Sequence, residues 1–183
     1  MSFTVINNTG FEAHFTFKKG DIIFAHWVPV AAGATMELKT DIALSIVAKT
    51  NFLNKEYESS MQIQLSANLA YVAEIDQDIE NKSYVMQLSE APSSNPPCLQ
   101  LYKTCTSPVS FLVRAGDNVE QAFLQPESFT PMNLQLDGYT VQAVINGITV
   151  PHVAIAQDGA TVTANTLDPN PEAGFYALEV TNS

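Results

Sequence analysis

The chain opens on a segment that it writes twice. Phe3–Asp41 lies on Leu99–Asp137 without a gap, at an offset of 96 residues. Phe15 falls on Phe111, Gly20-Asp21 on Gly116-Asp117, Trp27 on Phe123, and Met36-x-Leu38-x-x-Asp41 on Met132-x-Leu134-x-x-Asp137. Apolar positions coincide between these matches, Val5 with Leu101, Phe17 with Val113, Ile23 with Val119 and Val28 with Leu124. A gapless match that keeps turn residues and apolar parity together is the mark of an internal duplication. The 183 residues are therefore expected to make two units of about 90 residues, each near the lower end of domain size.

Both halves read as short runs of β-branched and aromatic residues between turn residues, with little helical periodicity. Eight strands are expected between Phe3 and Leu88, punctuated by Asn7-Asn8-Thr9-Gly10, Lys19-Gly20-Asp21 and Ala32-Gly33, and eight more between Leu99 and Val180. Asn146-Gly147, flanked by apolar runs, fits a type I′ hairpin turn, whose central residues both need positive φ. The first half has a longer loop near Asn51–Glu58 in its place. The expected fold class is all-β: two tandem antiparallel β-sandwiches, Ig-like or jelly-roll-like, over residues 1–90 and 98–183. The Pro/Ser-rich stretch 91–97 reads as a short, stiff linker between them. In the hairpin Glu12–Val28, a three-residue loop around Gly20 would put Phe15, Phe17, Ile23 and Trp27 on the core face. Glu12, His14, Thr16, Phe24, His26 and Val28 would then share the other.

Composition narrows the function. With 46% hydrophobic and 15% charged residues the chain is globular, and 19 acidic against 8 basic residues give a net charge of −11. Such a surface repels nucleic acid and anionic membranes and attracts cations. No apolar run reaches secretory or membrane-spanning length, so the cytoplasm is the default compartment, with release without a signal left open. Cys98 and Cys105 flank a segment read as strand, which holds them about 20 Å apart, too far for a disulfide. Both are expected as free thiols.

Two constellations offer metal chemistry. Asp76-x-Asp78-x-Glu80 and Asp168-x-Asn170-x-Glu172, each followed after three residues by a tyrosine, place oxygen ligands at alternate loop positions, as calcium prefers. The alternative is a turn whose Asp and Asn side chains cap their own backbone. His14 and His26, directly opposed in the three-residue-loop register with Glu12 beside them, would make a two-histidine, one-carboxylate site for a transition metal. The alternative is a semi-polar packing face. Beyond possible calcium, no motif calls for a cofactor. Nucleophile-elbow, zincin, phosphate-loop and C-x-x-C patterns are absent, and a dyad of Cys98 or Cys105 with His152 has no local support.

The expected function is a non-enzymatic binding or assembly protein that presents loops or sheet faces to a protein or carbohydrate, or to its own copies. Tyr57, Tyr139 and Tyr176, near strand ends, are candidate contact residues. The opening Phe3–Gly10 is similar, over eight residues, to the first strand and turn of several small β-proteins, including bacterial and fungal cytolytic or insecticidal ones. A soluble β-rich toxin that binds a membrane or receptor is the alternative, with Ser59–Leu65 and Ala160–Asn165 as alternating strands suited to insertion. An enzyme of unknown class is a third.

Overall fold

A computed structural model of the chain describes residues 2–40, 43–63, 66–115, 119–157, 159–168 and 174–182. Sixteen strands account for the ordered elements, and among the described residues there is no helix. The strands of the first half are β1 (Ser2–Asn7), β2 (Ala13–Lys19), β3 (Ile22–Val30), β4 (Thr35–Lys39), β5 (Leu44–Phe52), β6 (Lys55–Ile63), β7 (Leu69–Asp78) and β8 (Ser83–Pro92). Those of the second are β9 (Leu99–Lys103), β10 (Val109–Ala115), β11 (Val119–Gln125), β12 (Met132–Leu134), β13 (Tyr139–Ile145), β14 (Ile148–Ile155), β15 (Thr161–Thr166) and β16 (Tyr176–Thr181).

They form four four-stranded sheets, ordered β16-β15-β1-β4, β14-β13-β2-β3, β11-β10-β5-β6 and β12-β9-β7-β8. The first two make one β-sandwich and the last two another. The protein is thus all-β with two sandwich units, antiparallel except for one parallel pair in each, β1 with β15 and β7 with β9. In the first unit Phe3, Val5, Val162 and Leu178 from one sheet meet Phe15, Phe17, Val141 and Ile145 from the other, all buried. Three of these are phenylalanines without exposure, each contributing about 1.5–3 kcal/mol on burial. The second unit buries Leu99, Leu101 and Tyr71 against Ile46, Phe111 and Val113.

The units do not follow chain order. One consists of residues 1–42 with 137–183, the other of 43–136, so the expected division at 91–97 is corrected. β1–β4 complete their sheets with β13–β16, and β5–β8 complete theirs with β9–β12. Ser89–Pro97 is accordingly not a linker between units but the crossover from β8 to β9 inside one sheet. Ala91 and Pro92 still belong to β8, buried Ser93 donates its hydroxyl to the Cys98 carbonyl (2.9 Å), and the Ser94 backbone N–H bonds the Gln100 Oε1 (2.8 Å).

Residues 96 apart in β1, β2 and β4 and in β9, β10 and β12 hold equivalent places in the pairing, while their partners from the other half stand 91 and 95 residues apart. Val5 faces Met36 and Val162; Leu101 faces Met132 and Tyr71. Phe17 faces Val141, and Val113 faces Ile46. Each sheet thus has a counterpart with the same strand order, in which strands of one half exchange places with strands of the other. Gly116, Asp117 and Asp41 of the sequence match lie outside the described residues.

Candidate functional site

The outer face of the β2–β3 sheet departs from the expected register. β2 and β3 join through two residues, Gly20-Asp21, with Lys19 opposite Ile22, not through three. A one-residue slip exchanges the two faces of a strand, so Ile22 and Phe24 turn inward and are buried. The pairing then shifts between Lys18 and Phe17 and again between Phe17 and Phe15, which ends opposite Val28. These irregularities are bulges, each adding a residue to β3. Trp27 sits in the second with φ of 53° and is 50% exposed. The assignment of Trp27 to the core is corrected: the bulge turns its indole to the surface. Ile23, half-buried, is also not a core residue. A bulky residue with positive φ costs on the order of 1–2 kcal/mol, and such strain collects at functional positions.

The indole packs against two imidazoles. His14 meets it edge-on with ring centres 5.2 Å apart, and His26 does so at 5.7 Å. His14 Nε2 is 3.2 Å from a Glu12 carboxylate oxygen, and His26 Nδ1 is 3.1 Å from the Thr16 hydroxyl. His14 pairs with Pro29 and not with His26, so the opposition on which the transition-metal expectation for Glu12, His14 and His26 rested is corrected. No cluster of three metal-ligating side chains occurs among the described residues. Beside this group, Thr16, Lys18, Gly20, Thr140, Gln142 and His152 line a polar depression of about 220 Å³. A half-exposed ring flanked by hydroxyls, an amide, imidazoles and an ammonium can stack on an apolar ligand face while bonding polar groups at its rim. Sequence reasoning found His14 and His26 on this face but missed Trp27, Thr140 and Gln142, because bulges and the β2–β13 pairing leave no local pattern.

The acidic loops are differently arranged. Asp76 and Asp78 belong to β7, opposite Val85 and Ser83, and the turn proper is Ile79–Lys82 with Glu80 inside it. Both Asp78 oxygens accept hydrogen bonds from Asn81, one from its backbone N–H (3.1 Å) and one from its side-chain amide (2.8 Å). These bonds, the side-chain one foremost, hold the Asp78 carboxyl below the usual carboxylate range. Asp78 therefore caps its own turn. Asp168 follows β15, while Asn170 and Glu172 lie outside the described residues.

Cys98 and Cys105 are free, the first buried and the second partly so. Burial pushes the Cys105 thiol up, against an opposing pull from Lys103. Both cysteines belong to residues 43–136, whereas His152 belongs to the other unit. Among the candidate tyrosines, Tyr176 is buried, and Tyr139 packs edge-on against Phe3 (5.1 Å) and Phe24 (5.8 Å). Tyr57, half-buried beside Phe52, and Tyr139, half-buried likewise, keep a contact role open.

No family model, curated protein or solved structure matches the chain. No described helix is long and apolar enough to cross a membrane.

Proposed function

We propose that the protein is a non-enzymatic binding protein that holds a carbohydrate on the outer face of the β2–β3 sheet, with Trp27 as the stacking platform. The observation that carries this reading is the Trp27 backbone. An aromatic residue with φ of 53° sits at the second bulge and is half exposed, although without that one bulge it would stand opposite buried Phe15 on the core face. The C–H face of a pyranose would lie on the indole. Its hydroxyls would bond Thr16, Gln142 and His152 around the neighbouring depression. Carbohydrate is favoured over protein because the site is a single ring beside a polar hollow, whereas a protein interface requires a wider desolvated centre.

Trp27 is the only tryptophan in the chain, so its fluorescence reports this site alone. A glycan array, followed by fluorescence titration of the best-retained sugar, tests the reading. Binding should perturb the emission, and Trp27→Ala should weaken it at least tenfold, about 1.4 kcal/mol, without lowering the unfolding midpoint. An array that retains nothing, or a Trp27→Ala variant that binds as well as the parent, contradicts it.

A further inference from the structure

Two hairpin tips of the unit formed by residues 43–136 carry aliphatic side chains into solvent. Leu53, at the β5–β6 turn, is 69% exposed, and Ile79, at the β7–β8 turn, is 82% exposed. The tips are neighbours: Phe52, just before the first turn, packs edge-on against Tyr84, just after the second, with ring centres 5.2 Å apart. Behind the aliphatic points therefore lies an aromatic layer of Phe52, Tyr57 and Tyr84. Two lysines flank it. Lys55 Nζ stands 5.4 Å from the centre of the Tyr57 ring, and Lys82 is exposed at the end of the β7–β8 turn.

Folding alone does not call for this arrangement. Leu53 and Asn54 both have positive φ, 52° and 61°, in a two-residue turn where a leucine is strained and asparagine or glycine is at ease. The corresponding turn of the other unit is Asn146-Gly147, with φ of 49° and 75°. The hairpins are also longer here, nine residues per strand in β5–β6 against seven and eight in β13–β14, and ten per strand in β7–β8 against six in β15–β16.

We propose that the paired β5–β6 and β7–β8 tips anchor the protein in the interface of a zwitterionic phospholipid bilayer. Aliphatic points, then aromatic rings, then lysines is the order in which a side-chain surface meets hydrocarbon, headgroup boundary and water. Two convex points need no complementary pocket in a fluid bilayer, whereas a protein partner would have to supply one for each. The lipid class follows from charge. Lys55 and Lys82 are set against Glu56, Asp78 and Glu80 at the tips, and the chain carries −11 overall, so an anionic headgroup is disfavoured. This site is independent of the carbohydrate face.

Flotation of the whole chain with phosphatidylcholine vesicles tests the proposal. The protein should float with the vesicles, and less so when phosphatidylserine is added. Leu53→Asn, which suits the turn backbone, and Ile79→Asn should each lower the bound fraction about fivefold or more, with unchanged unfolding midpoints or higher ones. Trp27→Ala should leave flotation unaltered. The proposal is overturned if the protein floats with no vesicle composition, if phosphatidylserine strengthens binding, or if the tip variants float as the parent does. It is equally overturned if Leu53→Asn and Ile79→Asn instead dissolve a self-association seen without lipid, which would make the tips a contact between copies.

Discussion

Asn7 and Lys103 occupy equivalent positions at the ends of β1 and β9, and both are fully buried. Asn7 closes the corner after its strand with every polar atom it has. Its Nδ2 bonds the carbonyls of Phe11 (2.9 Å), Val30 (2.8 Å) and Ala31 (3.2 Å), and its Oδ1 accepts from the Thr9 backbone (3.0 Å) and hydroxyl (2.7 Å). Lys103 does the same task with less, donating to the Cys105 carbonyl (3.0 Å) and the Ser128 hydroxyl (3.1 Å), which themselves bond at 2.7 Å. Asn7→Ala strands a buried N–H and several carbonyls, and should cost about 2–4 kcal/mol in denaturant unfolding. Lys103→Met should cost less, because the Ser128–Cys105 bond survives; equal losses would contradict this account of the corners. In the sequence, Asn7-Asn8-Thr9-Gly10 is legible as a turn. That Asn7 is also a buried five-contact hub is not, because its partners Val30 and Ala31 arrive from another strand. Trp27 escapes the sequence for a related reason: alternation counted from a three-residue loop assigns it inward, and the shorter turn together with the two bulges, which no composition signals, turns it out.

At the level of elements, strands were the most legible feature. Leu99–Lys103 and Tyr139–Ile145 coincide with β9 and β13, because alternating apolar residues bounded by turn chemistry leave one choice of period. Turns were legible where chemistry is overt. Asn146-Gly147 is the two-residue turn its residues specify, but the loop expected near Asn51–Glu58 is a second such turn at Leu53-Asn54, hidden because leucine is not a turn residue. Since Leu53 is mostly exposed, replacing Leu53-Asn54 with Asn-Gly removes strain and loses little packing. The exchange should raise stability by about 1 kcal/mol and the melting midpoint by about 2–4 °C, while lowering vesicle binding. A fall in the midpoint would mean that Leu53 holds the hairpin through packing. The β2–β3 hairpin teaches the complementary lesson: a loop shorter by one residue moved Phe24 into the core and dismantled the expected His14–His26 opposition.

For the molecule as a whole, the sequence match revealed two sets of eight strands but not which set completes which sandwich. Eight strands of one half can close on themselves or exchange their last four with those of the other half, and both outcomes satisfy ladders of the same order. Local pattern cannot separate them. Here the exchange is complete, as β1 with β15 and β7 with β9 attest. The two faces that result differ: the sheet containing β2 and β3 carries Trp27 beside two histidines, while at the positions 96 residues on, in the sheet containing β10 and β11, stand Ser110, Ala122 and Phe123. A cut in the β8–β9 crossover tests the shared construction directly, through a protease site inserted between the exposed residues Asn95 and Pro96 and native mass measured after cleavage. The two fragments should remain together at the mass of the uncut chain and part only in denaturant, because every sheet contains strands of both. Fragments that separate under native conditions, each unfolding cooperatively by itself, would show that each half makes its own sandwich.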